Sequence, residues 1–176
     1  MIEMIITDGS SSSGIIAINW ADEQEHLIPR INAEYGYKPK NDYTYPFGKD
    51  IFKAIAASKI GMNGEKEDYC IKESDLTLIF IKETKLSRRM SKTLQNKCLL
   101  LGKPCNIINL DTYDFYDIGT IVSLINDNNY TIINITGEPI LTIYEKKLLD
   151  EFLTIVYKML RKEQHDYSKH IAYNRD

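Results

Sequence analysis

Leu76-Thr77-Leu78-Ile79-Phe80-Ile81 is a continuous run of apolar and β-branched side chains with no alternation of period two. A strand with one face in water alternates, whereas a strand covered on both faces does not, so this run reads as a central strand of a parallel sheet. Asp75 marks where it begins. Working outward toward the C-terminus, Ser91 to Leu101 places Leu94, Cys98 and Leu101 on one helical face and stops at Gly102, and Cys105 to Leu110 is the next strand. Ile118 to Ile125 reads as a helix ended by the turn Asn126 to Asn129, Thr131 to Ile135 as a β-branched strand, and Leu141 to Arg161 as an amphipathic helix with Ile143, Leu148, Phe152, Ile155, Val156 and Leu160 inward. Toward the N-terminus, Met4 to Ile6 is a short strand, Thr7 to Ser13 a small-residue loop, and Gly14 opens a helix that fades before Pro29. Arg30 to Phe47 is predicted irregular, with a short strand near Ile31 to Tyr35, and Lys49 to Ser58 helical until Gly61 and Gly64 break it. Strands alternating with helices predict an α/β fold: a doubly wound, mostly parallel sheet with helices on both faces. Residues 1–161 are expected to form one domain and residues 162–176 a polar tail, mobile or used as an arm toward a partner.

The 176 residues suit one domain with a core of its own, and 43% hydrophobic with 27% charged residues excludes a disordered chain. Lys and Arg number 22 against 25 Asp and Glu, a formal charge of −3, which argues against a binder of duplex nucleic acid. Met1 to Thr7 lacks the features of an export signal, and no run approaches the roughly 20 apolar residues that span a bilayer. A cytoplasmic protein with no membrane partner is expected. Cys70, Cys98 and Cys105 show no C-x-x-C spacing and are expected to be reduced and buried.

Four segments, in order, carry a resemblance. Gly36-Tyr37-Lys38-Pro39-Lys40 resembles a G-W-x-P-K element, Glu73 to Phe80 a D-S-D-x-T-L-I-L strand, Gly102-Lys103-Pro104-Cys105 a G-K-P-C turn, and Ile133 to Glu138 an L-N-V-A-G-P strand. These are elements of the molybdenum-cofactor carrier proteins, a branch of the SLOG superfamily of Rossmann-like nucleotide binders, and the order agrees from about Met4 to Leu160. The resemblance implies a Rossmann-like sheet, a small nucleotide-type ligand and a homo-oligomer. Two loops depart from it. Where the family reads S-G-G-Q-T-G this chain has Thr7-Asp8-Gly9-Ser10-Ser11-Ser12, and where it reads T-G-G-T this chain has Arg88-Arg89-Met90-Ser91. Guanidinium groups could there replace backbone N–H donors as anion ligands, which implies either a changed ligand or a lost one.

In a doubly wound sheet, ligands bind at the carboxyl ends of the strands, which selects the loops Asp8 to Ser13, Lys82 to Arg89, Asp111 to Asp117 and Thr136 to Pro139. Ser10, Ser11 and Ser12, with Gly9, lie between strand and helix, where an anion is favoured, although serines there also serve as plain caps. Asp8 repels phosphate and suits a sugar hydroxyl or a cation. Arg88 and Arg89 are phosphate candidates or a solvated basic pair, with Lys82, Thr84 and Ser91 beside them and Lys40 as a further cation. Tyr37, with Tyr35, Tyr43 and Tyr45, could stack on a base or cover a ligand, but for at least two of them locking a loop onto the core or forming a subunit interface is the favoured reading. Asp111 belongs, with Asp114 and Asp117, to a segment that reads first as a capped, solvated turn and only second as part of a site. Gly137 and Glu138, at the end of the last strand, are the better pocket candidates.

Only His26, His165 and His170 are present, with no H-E-x-x-H, no Cys/His cluster, no G-x-S-x-G and no P-loop, so no metal site or catalytic residue is assigned. SLOG enzymes that release a base from a nucleotide resemble one another through P-G-G-x-G-T-x-x-E, and the matching window Arg88 to Gln95 holds no carboxylate. The expected function is non-catalytic binding and sequestration of a small phosphorylated, nucleotide-derived molecule, such as a viral sponge for an immune signal would perform, with no cofactor acting as catalyst. The alternatives are a carrier or store of molybdenum cofactor, a nucleotide hydrolase, and a protein-interaction module that kept the fold and lost the pocket.

Overall fold

The computed structural model describes residues 2–8, 11–24, 27–31 and 63–173. In chain order these form β1 (Met4–Thr7), α1 (Ser12–Asp22), β2 (Ile28–Ile31), α2 (Asn63–Glu73), β3 (Leu76–Ile81), α3 (Lys85–Leu100), β4 (Cys105–Asn109), α4 (Phe115–Asn128), β5 (Ile132–Gly137) and α5 (Ile143–Tyr173). The strands make one sheet in the order β2-β1-β5-β3-β4, every pair parallel, which is the doubly wound arrangement expected. All six residues of β3 are buried, because it has a strand on each side and helices over both faces.

One face of the sheet presents Ile5, Leu78, Phe80, Ile133 and Ile135 to α1, α4 and α5. Phe152 of α5 is its centre, fully buried and meeting Phe80 and Tyr113 edge-on at ring separations of 5.4 and 5.3 Å. Trp20 of α1 packs edge-on against Tyr157 at 5.6 Å and donates its indole N–H to Thr154 Oγ1 at 3.0 Å. The apolar face of the last helix is therefore consumed by the core between Leu148 and Leu160, whereas Ile143, expected inward, is exposed in its first turn. On the opposite face of the sheet, Leu94 of α3 covers Ile79 and Ile81. Cys70 and Cys98 are buried and Cys105 half-buried, all three as free thiols. Burial, with Cys105 alongside, pushes the Cys98 thiol up to about 12, so it stays protonated.

Several boundaries differ from the sequence reading. Pro29 lies inside β2, which begins three residues earlier than the strand expected near Ile31 to Tyr35, and is tolerated because β2 is, among the described residues, an edge strand that pairs with β1 alone. Helix α2 was not anticipated: among its described side chains only Cys70 and Ile71 are buried apolar ones, too few to show a stripe. Lys97 of α3 ties it down, pairing with Glu67 and, at 3.2 Å, with Asp68. Helix α3 starts six residues before Ser91 because Thr84 caps it, accepting from Ser87 N–H at 3.1 Å. Helix α4 starts at Phe115 on a capping box made by Asp114 and Asp117. The last helix runs on to Tyr173, so residues 162–173 of the polar segment are helical. The helix expected over 49–58, Gly9, Ser10, Tyr37, Lys40 and the other tyrosines of that segment lie outside the described residues. No helix of the described residues is long and apolar enough to cross a membrane.

The amino ends of the central strands are held by Asp75. Its carboxylate accepts from Thr131 N–H and Ile132 N–H, both at 2.8 Å, and from the Thr131 hydroxyl at 3.2 Å. Burial alone would raise its pKa, but these donors and the nearby Lys103 outweigh burial and lower it below the usual value of 3.8. A carboxyl whose pKa is lower in the folded state stabilises the fold above its unfolded pKa, and this contribution is lost as pH falls through the folded value. Asp75→Ala should cost about 2–3 kcal/mol at neutral pH. Urea unfolding followed from pH 7 to 2 should then show the variant losing less stability than the wild type below about pH 4.

Candidate functional site

The chain leaves β1 toward β2 on one side and β3 toward β4 on the other, then returns to place β5 between β1 and β3. The loops after β1 and β3 thus flank the loop after β5, and the carboxyl ends of these three strands form the topological switch point. Glu138 is at its centre.

Gly137 makes that placement. Its φ is +132°, and a Cβ added there would lie 2.0 Å from the Phe80 carbonyl oxygen, so β5 approaches β3 at a distance only glycine permits. The next residue is delivered onto the same strand: Glu138 N–H donates to Phe80 O at 2.9 Å. Glu138 is only 5% exposed, and its Oε1 accepts from Lys82 N–H at 3.2 Å. Its second carboxylate oxygen has no hydrogen-bond partner among the described residues. Asp8, 8% exposed, ends the neighbouring β1. Two buried carboxylates at adjacent strand ends make this an acceptor-rich site, suited to N–H or O–H donors.

The serine loop does something other than present open donors. Ser11 caps α1, its hydroxyl accepting from Gly14 N–H at 3.0 Å. Ser12 and Ser13 N–H donate to Pro139 O and Glu138 O at 3.3 and 3.4 Å, and the Ser12 hydroxyl donates to Pro139 O at 2.9 Å. The first-turn donors that would cradle an anion are engaged by the Glu138–Pro139 loop, so these serines anchor the loop that carries Glu138.

Lys82 supplies its backbone N–H to Glu138, but its ammonium turns away, to Ile140 O at 3.2 Å and to Glu145 at 3.5 Å. Burial raises the Glu145 pKa, but hydrogen bonds from Thr142 and the Lys82 charge outweigh burial and lower it. Thr84 is the α3 cap. Ser91 is buried, its hydroxyl donating to Arg88 O at 3.0 Å, on the side of α3 that faces the sheet. Arg88 is exposed and paired with Glu83. Arg89 is exposed, with no side-chain partner among the described residues. Asp111 Oδ2 accepts from Glu83 N–H at 2.8 Å, and Asn109 donates to Glu83 Oε2 at 2.6 Å, which braces the β3 and β4 loops together. Glu83 and Asn109 were absent from the sequence-level site; each is an ordinary polar residue until the fold sets their loops side by side. The structure thus gathers Asp8, Ser11, Ser12, Lys82, Gly137 and Glu138 at the switch point, and sets Thr84, Arg88, Arg89, Ser91 and Asp111 around the β3 and β4 ends. Among the described residues no group of three or more His, Cys, Asp or Glu could hold a metal ion.

This strand order and these loop positions can be set beside known structures. The chain shares its fold with a solved protein from Syntrophus aciditrophicus named "Putative molybdenum carrier protein". The match has a TM-score of 0.60 at 19% identity and covers 88% of this chain and 94% of that one. No protein-family model and no curated protein sequence matches the chain. At that identity the likeness establishes the Rossmann-like α/β architecture, in agreement with the sheet described above.

Proposed function

We propose that the chain binds and carries, without turning it over, a small molecule with a 2-amino-4-oxopyrimidine edge, as found in guanine nucleotides and in pterins. Glu138 carries this reading: a buried carboxylate at the switch point, with one oxygen on Lys82 N–H and the other without a described partner. A buried carboxylate is costly unless donors meet it, and the ring N–H and amino group of such an edge form a matching pair of donors. Arg89 at the rim supplies a cation for an anionic part of the same ligand. The structural neighbour is named "Putative molybdenum carrier protein"; the cofactor, a phosphorylated pterin, enters through the sequence resemblance to the molybdenum-cofactor carrier family.

Calorimetric titration with GMP, AMP and a pterin tests the reading. GMP or the pterin should bind and AMP should bind at least tenfold more weakly, because adenine presents an acceptor where the carboxylate needs a donor. Glu138→Gln sets an amide N–H₂ against the donor edge and should weaken binding about 10–100-fold. AMP binding as tightly as GMP, or an unchanged Glu138→Gln variant, would overturn the assignment. Guanine-type nucleotide held intact would extend the role to sequestration of a nucleotide signal; a pterin bound with molybdenum would make it a cofactor carrier.

A further inference from the structure

Cys98 and Cys105 have no part in the crevice at the strand carboxyl ends, yet the fold sets them against each other. Helix α3 ends in a turn where Gly102, at φ +65°, donates its N–H to Leu99 O at 3.1 Å and Lys103 N–H donates to Cys98 O at 2.9 Å. The backbone two residues before Cys105 is thereby bonded to the Cys98 carbonyl. Both side chains lie between α3 and the sheet. Cys98 is fully buried on the face of α3 that carries Leu94, and Cys105 packs into the cluster of Leu94, Ile79 and Ile81. The Cys105 thiol is a hydrogen-bond partner of the Cys98 sulfur.

A polar row crosses the sheet beside this pair. Cys105 is level with Thr77 on β3, and Thr77 with Asn134 on β5. The buried Asn134 amide donates to the Thr77 hydroxyl at 3.2 Å, and that hydroxyl is also a partner of the Cys98 sulfur. Burial, the facing Cys105 and the Glu67 carboxylate hold Cys98 protonated, while the Thr77 hydroxyl favours its thiolate. Cys105 is the accessible member: it is half-buried and starts β4, which among the described residues pairs with β3 alone. An oxidant from solvent therefore meets Cys105 first. We propose that Cys98 and Cys105 form a site of reversible oxidation that takes a peroxide as substrate and closes to a disulfide. The Cys105 thiolate attacks the peroxide, the O–O bond breaks, and the sulfur becomes a sulfenic acid; the departing oxygen takes up the proton that the thiol released and leaves as water. The Cys98 sulfur then attacks the Cys105 sulfur, the S–O bond breaks, and the Cys98 proton leaves with the hydroxyl as a second water. Two thiols are oxidised and hydrogen peroxide is reduced to water. The bridge ties the end of α3 to the start of β4, whatever the crevice binds.

Peptide mapping of the full chain tests it. The protein is treated with a few equivalents of hydrogen peroxide, denatured, alkylated and digested with chymotrypsin, which cuts at Leu99 to Leu101 between the two cysteines. The fragments that hold Cys98 and Cys105 should stay joined without reductant and separate with dithiothreitol. Of the three free thiols, Cys70 alone should remain open to alkylation. In Cys98→Ser no bridge should form, and dimedone should trap Cys105 as its sulfenic acid at least tenfold more than in the wild type. The wild-type map decides the matter even if that variant folds poorly. A bridge through Cys70 or between two chains, Cys105 carried on to sulfinic acid with Cys98 still free, or three thiols unchanged would overturn the proposal.

Discussion

Gly137→Ala is expected to remove the folded state at 37 °C. The added methyl group would lie 2.0 Å from the carbonyl oxygen, 2.7 Å from the nitrogen and 2.8 Å from the carbonyl carbon of Phe80, all backbone atoms of a fully buried central strand. Neither partner can yield: β3 is fixed by β4 on its other side, and at φ +132° an L side chain is strained even in open space. Relief requires separating β5 from β3, which breaks the Glu138 N–H to Phe80 O bond and the register of the two central strands. The cost should exceed about 4 kcal/mol, a large share of the 5–15 kcal/mol that holds a typical domain together. Circular dichroism and urea unfolding of the purified variant measure it directly. A midpoint within a few tenths molar of the wild type would show that the close approach of β5 to β3 is not required.

The second large effect is expected at Gly14, in the first turn of α1. Its hydrogen points at β1, where a Cβ would lie 2.1 Å from Thr7 Oγ1, 3.0 Å from Thr7 Cβ and 3.1 Å from Ile135 O. Gly14→Ala should therefore push α1 off the sheet at a cost of about 2–3 kcal/mol. Because the worst contact is a side-chain oxygen, Thr7→Ala introduced together with Gly14→Ala should recover part of the loss, a non-additivity that a double-mutant cycle reads as coupling. The displaced helix start also carries Ser12 and Ser13, which hold the Glu138–Pro139 loop, so ligand affinity should fall along with stability. Costs that simply add, with affinity unchanged, would separate the packing of α1 from the site.

The central strands were legible because burial on both faces leaves a composition signal that needs no knowledge of neighbours, as Leu76 to Ile81 shows. The loops at the strand carboxyl ends were legible for a related reason: once strands and helices alternate, those ends follow from topology alone. Helix starts were less so. Thr84 and Asp114 set α3 and α4 by capping, a local polar signal, while Leu86 and Phe115 just inside them are exposed and add nothing to an apolar stripe. Partners were the least legible. The charge of Lys82 goes to Glu145 and the Ile140 carbonyl, far along the chain, and Arg88 is matched by Glu83 on the preceding turn. A sequence displays these charges but not which are already neutralised, and that shifts the weight of the proposed site from Arg88 and the serines to the buried carboxylate of Glu138. Gly14 reads in the sequence as the start of an apolar stretch; only the β1–α1–β5 packing shows that it is a contact point.

The most direct test of the account is to purify the wild type and Glu138→Gln side by side from cells that make both molybdenum cofactor and nucleotide signals, denature each, and identify the released small molecules by mass spectrometry. The account predicts close to one equivalent of a guanine- or pterin-type compound from the wild type and at most a tenth of that from the variant. Equal amounts from the two proteins, or a released compound without that donor edge, would contradict it.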